Sequence, residues 1–280
     1  MSQQISSLIV SRPRGSGAFS VRSFKLEELG PQASPLFVVD DFRVRAHVFG
    51  PHPHAGFSAV TYVFEDSVGS LRSRDSLGND VVVGPGGIVW TQAGRGALHE
   101  EMPAQPGREL HGLQFFVNLS ARNKMIEPRV LWLQPSEVPE WRSPAGDRVR
   151  VVVGAYKDVS SPLVPAEPFT LLDVELRSQL FFDLPAGCNA LVYTIGGTVR
   201  MLAGGHDREV RIKHMLALSG EGRVAFAARE AARFLILSGL DLREPAIGNG
   251  PFLMSDRGQL NDAIDRYQRG EMGNLEPLNV

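Results

Sequence analysis

Short runs rich in Val, Phe, Tyr and Thr, each closed within a few residues by Gly, Pro, Asn or Asp, recur along almost the whole chain. Residues 35–40, 58–64, 80–83 and 112–117 are of this kind, as are 148–153, 169–174, 190–195 and 233–237. β-Branched and aromatic side chains suit a pleated, half-buried surface, so these runs read as strands, and their close spacing predicts an all-β sandwich or barrel. The 29 Gly and 19 Pro supply the tight turns that such a fold needs. Leu77-Gly78-Asn79-Asp80 and Ile195-Gly196-Gly197-Thr198 read as hairpin turns. A helical period appears only near the end, where Ser255 or Asp256 can cap a helix with Leu260, Ala263, Ile264 and Tyr267 on one face.

The two halves rhyme. Strand, glycine turn and strand occur at 64–74 and again at 195–201, followed by the Gly-rich corners Gly84-Pro85-Gly86-Gly87 and Ser219-Gly220-Glu221-Gly222. Two similar barrels in tandem account for this and for the length of 280 residues. The Pro-punctuated stretch 134–144 is the expected boundary, with an N-terminal barrel over 1–134 and a C-terminal barrel plus terminal helix over 145–280. One long sandwich with coincidental turns is the competing arrangement.

Charge and composition narrow the function. The 29 Lys+Arg balance 31 Asp+Glu, and there is no basic helix, which argues against a nucleic-acid partner. No apolar run approaches the roughly 18 residues of a membrane span. The N-terminus lacks the basic and apolar regions of a signal peptide, and a lone Cys188 suits a reducing compartment. These features predict a cytoplasmic protein without a membrane partner.

The chemistry concentrates at four residues. In an extended segment residues i and i+2 share a face, so Pro51-His52-Pro53-His54 presents two imidazoles together. Pro53 offers no N–H to a ladder, which places the segment at a strand start or edge. His99 and Glu101 form a second i, i+2 pair. If the two pairs lie on neighbouring strands facing a barrel interior, three imidazoles and a carboxylate converge. That donor set suits Fe(II), Mn, Ni, Cu, Co or Zn better than Ca or Mg. Four such ligands leave two octahedral positions for substrate or O2, and Glu101, as the one carboxylate in the set, is the candidate base.

The residues then carry a resemblance. Pro51-His-Pro-His-Ala-Gly-Phe57, Arg74-Asp-Ser-Leu-Gly78, Gly84-Pro-Gly86 and Trp90-Thr-Gln-Ala-Gly-Arg-Gly-Ala-Leu-His-Glu-Glu-Met-Pro103 closely resemble the pirin family of the cupin superfamily. Thr61-Tyr62-Val63, His111-Gly-Leu-Gln-Phe-Phe-Val-Asn-Leu119, Leu242-Arg-Glu-Pro245 and Gly250-Pro-Phe-Leu-Met254 extend the match over nearly the whole chain. The resemblance implies two tandem cupin barrels of jelly-roll type, with one mononuclear metal, usually iron, in the N-terminal barrel. It implies the ligands His52, His54, His99 and Glu101, the same four that spacing selects. Among bacterial relatives it implies quercetin 2,3-dioxygenase activity, in which a flavonol is cleaved by O2 with release of carbon monoxide. For other relatives it implies a metal- or redox-sensing regulator that binds a transcription factor or a metabolic enzyme. Two positions depart from many relatives: Ser58 stands where Glu is common, and Ser73 where His is common. A zinc hydrolase is a weaker third reading, since four ligands nearly fill a tetrahedral ion.

Other side chains admit two readings each. Glu100 points away from Glu101 in a strand and is expected to be solvated or held in a loop. Either Gln114 faces the barrel interior or, with the register shifted by one, His111, Phe115 and Val117 do. Phe57, Trp90 and Phe116 either wall a pocket for an aromatic substrate or are plain core. Arg95 is expected in an ion pair, with attraction of an anionic substrate as its other role. His206 and His214 have no metal-ligand spacing, so the C-terminal barrel is expected to be metal-free and either structural or a docking surface. Cys188 reads as an unreactive thiol.

Overall fold

The computed structural model describes residues 3–278, and its regular structure is mostly β-strand with one α-helix near the end. It resolves into two compact units. One comprises Pro13–Ser23, Leu36–Glu137 and the chain from Arg243 onward. The other comprises the chain up to Arg12, Phe24–Pro35 and Val138–Leu242. The units therefore differ from the contiguous halves 1–134 and 145–280 at their ends. The physical reason is strand pairing: Gln4–Ile5 and Ile9–Val10 both add to the edge of His214–Ser219, far along the sequence.

In the unit bearing the histidine motif, a seven-stranded antiparallel sheet runs Arg129–Leu133, Ile88–Gln92, Phe57–Val63, Leu110–Asn118, Leu36–Val44, Phe19–Ser23 and Arg12–Ser16. A four-stranded sheet runs His52–His54, Ala97–Pro103, Leu71–Asp75 and Asp80–Val83. Phe57–Val63 is buried at every position, as a central strand covered on both faces should be. The interior between the sheets holds an apolar cluster of Val44, Val63, Leu71, Val83, Val89 and Leu110.

The other unit repeats the plan. Its larger sheet includes His214–Ser219, Cys188–Gly196, Ala232–Leu240, Phe169–Leu176 and Arg148–Val153, and its smaller sheet Gln179–Leu184, Gly222–Ala227, Thr198–Ala203 and His206–Arg211. Gln179–Leu184 alternates exposed and buried residues strictly, sending Leu180, Phe182 and Leu184 inward. This is the expected pair of jelly-roll barrels, not one continuous sandwich.

The turn at Gly196-Gly197 corrects one expectation. Cys188–Gly196 and Thr198–Ala203 belong to different sheets, so the glycines form a corner between sheets and not a hairpin. Gly84–Gly87 and Gly220–Gly222 are corners of the same kind. The turn around Gly78 does join two paired strands, with Asp75 accepting from the Leu77 and Asn79 amides. The terminal helix spans Arg257–Gln268, capped by Asp256, whose carboxylate accepts from the Gln259 amide at 2.9 Å. Leu260 and Ala263 are buried and Ile264 packs beside them, whereas Tyr267 is largely exposed.

Candidate metal centre

Register builds the centre. His52–His54 pairs antiparallel with Ala97–Pro103 so that His99 lies opposite His52, and Ala97 opposite His54. The period of two then turns His52, His54 and His99 to one face. Their candidate ligand nitrogens all lie within 4.8 Å of one another, and the Nε2 atoms of His52 and His99 are 3.1 Å apart. His54 and His99 are almost wholly buried, and neither ring nitrogen of His54, nor Nδ1 of His99, has a hydrogen-bond partner. Burial, reinforced by His52 nearby, lowers the pKa of His54 to about 3. Burial and the two neighbouring imidazoles hold His99 well below its ordinary value.

The neutral imidazoles of His54 and His99, with bare nitrogens in a protein interior, are costly, about 1–3 kcal/mol for each unsatisfied group. They are also in the protonation state that metal binding requires. The donor set therefore fits a divalent first-row ion. His52 is already oriented for that use: its Nδ1 lies 2.9 Å from the Gly50 carbonyl, which can only accept, leaving Nε2 free to face the other rings.

Glu101 stands apart from the three-histidine group. It is two residues beyond His99 on the same strand face and opposite Ser73. Thr61 Oγ1 donates to its Oε2 at 2.6 Å, and Ser73 also donates to the carboxylate. Burial outweighs both hydroxyls and raises its pKa to about 7. The Ser73 departure thus has a structural outcome, since its hydroxyl is a partner of Glu101. Ser58 is buried opposite Gln92.

Glu101 and Gln114 line a cavity of about 160 Å³, whose other walls include Phe42, Val44, Val48, Phe49, Leu71 and Leu110. The register that turns Gln114 toward the interior is the one adopted, and Phe116 on the same face lies 5.3 Å from the His54 ring. Phe57 packs on His54 and Phe116, both at 4.9 Å between ring centroids. Trp90 does not wall the site: it is core, 6.1 Å from Phe115 on the opposite face of the sheet. His111 also faces away, held between Asp41 at 3.0 Å and Asp66 at 2.9 Å.

Glu100 overturns its expectation. It is completely buried and accepts from Arg74 Nη1 at 2.7 Å, with His47 Nε2, which is hydrogen-bonded to the Phe49 carbonyl, lying 2.9 Å from its other oxygen. The alternation is obeyed, but the side away from Glu101 is protein interior, and Arg74 compensates the charge. Arg95 pairs with Glu127 at 2.8 Å, away from the cavity lining. Cys188 is half-buried, and burial pushes its thiol up, away from reactivity.

The sequence gives little sign of what braces the centre from behind. Ala55, the residue after His54, forms a parallel bridge with Phe252 and exchanges hydrogen bonds with Pro251 and Leu253. Buried Lys124 donates to the Gly56 and Leu253 carbonyls and to Asn118 Oδ1. Gly56 has φ +84, and a Cβ there would lie 1.9 Å from the Leu253 oxygen, so the close approach requires glycine. Met272 packs against Gly96 in the same way. The signal that pointed here was the 250–254 motif, which had no assigned role.

Sequence comparison bears on this geometry directly. The pirin family model matches residues 11–117, across the histidine-bearing strands, and the model for the pirin C-terminal cupin domain matches residues 171–273. This chain belongs to the pirin family. Pirin from Homo sapiens is 34% identical over 284 residues, covering 97% of this chain and 94% of its own. Among solved structures, a quercetin 2,3-dioxygenase from Acinetobacter baumannii aligns with a TM-score of 0.85 at 26% identity, over 99% of this chain and 100% of its own. The Escherichia coli bacterial pirin YhhW in complex with nickel(II) aligns with a TM-score of 0.66 at 21% identity, over 85% and 99%. Like those proteins, this one is built of cupin barrels. No helix among its described residues is long and apolar enough to cross a membrane.

Proposed function

We propose that this pirin is a mononuclear metal-dependent dioxygenase of the quercetin 2,3-dioxygenase type, acting on a flavonol and O2 and releasing carbon monoxide. The observation that carries the reading is the three-histidine group together with Glu101, which lies two residues beyond His99 on the same strand and lines a mostly apolar cavity. Likeness to the Acinetobacter quercetin 2,3-dioxygenase supports the substrate class. In this reading His52, His54 and His99 hold the ion, with Glu101 as fourth ligand, and iron(II) is the favoured metal. When bound, the ion supplies orientation of the substrate oxygen beside O2 and stabilisation of its developing charge.

The remaining work falls to the chain. Glu101, the carboxylate that faces the cavity, is placed to accept the 3-hydroxyl proton of a flavonol. Thr61 and Ser73 fix its carboxylate by hydrogen bonds. Phe42, Phe49 and Leu110 exclude water from the aromatic substrate. A cytoplasmic location belongs to the same reading.

The test is aerobic quercetin consumption with simultaneous carbon monoxide detection, using protein reconstituted with Fe(II) or Ni(II) and His52→Ala as control. Carbon monoxide release that disappears in the control supports the enzyme. Folded, metal-loaded protein without release overturns it and leaves a metal-sensing regulator of another protein as the reading to pursue.

A further inference from the structure

The interior face of the larger sheet around the cavity is organised in rungs, and one differs from its neighbours. Phe19, Val44 and Leu110 form one rung across adjacent strands. Val21, Phe42, Gly112 and Val63 form the next, where Gly112 leaves room for the Phe42 ring: a Cβ would stand 2.9 Å from its Cζ. The third rung is polar over four adjacent strands before it reaches Val89 on the fifth. Ser23 lies opposite Asp40, Asp40 opposite Gln114 and Gln114 opposite Thr61, whose hydroxyl donates to Glu101. Asp40, Gln114 and Glu101 all line the cavity, and its other lining residues are apolar.

A polar rung is not a requirement of this barrel type. In the C-terminal barrel the inward rungs Leu172–Ile236–Val192 and Val174–Phe234–Thr194 carry one hydroxyl and no charge. Asp40 and Gln114 are only partly buried, and Asp40 already accepts a hydrogen bond from Ser23, so the rung stands without a ligand. It keeps a carboxylate and an amide at the wall of an apolar cavity, where a polar ligand can use them. The size of the cavity says how much of a ligand enters. At about 160 Å³ it matches the roughly 150 Å³ apolar cavity that holds a benzene ring. A three-ring flavonol therefore inserts one ring and leaves the rest beyond the exposed side chains of Val48 and Phe49.

We infer that Asp40 and Gln114 are specificity-determining residues, which select a flavonol whose pendant ring enters this cavity and carries hydroxyl groups. The Asp40 carboxylate accepts from a ring hydroxyl, and the Gln114 amide pairs with that hydroxyl or its neighbour. The face of the ring lies on Phe42 and Val21. This inference rests on the flavonol reading above and deepens it by naming the part of the flavonol that is read.

Binding, measured anaerobically by fluorescence quenching on metal-loaded protein, tests it without turnover. The probes are quercetin, with two hydroxyls on its pendant ring, and 3,5,7-trihydroxyflavone, with none. Unchanged protein is expected to prefer quercetin by about tenfold or more, the worth of a hydrogen bond to a charged group. Asp40→Asn and Gln114→Leu should each cut that preference to about twofold or less, with trihydroxyflavone affinity almost unmoved. Val21→Trp, which fills the cavity, should weaken both flavonols alike and stands in if Asp40→Asn does not fold. Equal binding of both flavonols by unchanged protein overturns the inference, as does a preference that survives both polar substitutions. Carbon monoxide release is read in parallel. The preference without release removes the dioxygenase reading alone, release without the preference removes this inference alone, and no binding of either flavonol removes both.

Discussion

The four-stranded sheets of the two barrels run in the same order, so their inward positions can be compared. In the first, His52 lies opposite His99 and Glu101 opposite Ser73. In the second, Phe182 lies opposite Val224 and Phe226 opposite Met201. Leu184, two residues beyond Phe182, takes the place of His54. All five of these apolar residues belong to a single buried cluster that fills the second barrel. The fold is therefore indifferent to what stands at these positions, provided the interior is satisfied. Apolar side chains satisfy it by packing; the imidazoles of the first barrel leave bare nitrogens that a metal would complete.

The largest expected effect comes from forcing the second barrel to imitate the first. Phe182→His, Leu184→His, Val224→His and Phe226→Glu together remove four apolar side chains worth about 1.5–3 kcal/mol each and bury polar groups in their place. The sum rivals the roughly 5–15 kcal/mol stability of a whole domain, so calorimetry should lose the cooperative transition of that barrel. A surviving transition with a second equivalent of bound metal would break the comparison.

Next in size is the buried ion pair behind the centre. Arg74→Ala strands Glu100, and urea unfolding should report a loss of about 3–5 kcal/mol. The exposed pair of Arg223 with Asp183 on the second barrel is the control, and Arg223→Ala should leave the unfolding midpoint almost unchanged. Equal losses would mean that Glu100 is not an uncompensated buried charge in the variant.

The reverse exchange should be smaller and opposite in sign. His52→Phe, His54→Leu, His99→Val and Glu101→Phe are expected to abolish metal content measured by elemental analysis. Metal-free stability should hold or rise by about 1–4 kcal/mol, as when buried polar clusters are replaced by apolar packing. A fall in stability would show that the first interior cannot accept the second one's solution.

The smallest effect concerns pH. Burial opposes a charge on His111, but the hydrogen bonds and charges of Asp41 and Asp66 outweigh it and raise its pKa above 6.5. The folded protein then binds more protons than the unfolded chain. This stabilisation is fully present below pH 6.5 and declines as pH rises through the raised folded value. His111→Phe should flatten that slope in denaturation midpoints taken across neutral pH. A slope that persists would trace to another group.

Much of this was legible in the residues. Strands announced themselves because Val-, Phe- and Tyr-rich runs ended at glycines and prolines, and the histidine cluster because a period of two is enough to place His52 with His54. What sequence spacing did not carry was the environment of the opposite face. Glu100 looked solvated because alternation gives direction without saying what lies there, and Arg74 is 26 positions away. The turn at Gly196-Gly197 looked like a hairpin because a glycine pair fits a corner between sheets equally well. Register likewise decided between Gln114 and Phe115, and register is set by partners on other strands.

The brace behind the centre has a consequence for the order in which this protein is made. The strand carrying His54 leaves the ribosome early, but the segment that pairs with Ala55 and receives Lys124 lies near residue 252. With synthesis at about 5–20 residues per second, the roughly 200 residues between them take about 10–40 s. Throughout that interval the nascent chain holds its histidines without the segment that backs them. An ion taken up during translation would therefore meet His52, His54 and His99 before the segment that backs them exists, a different setting from the finished protein.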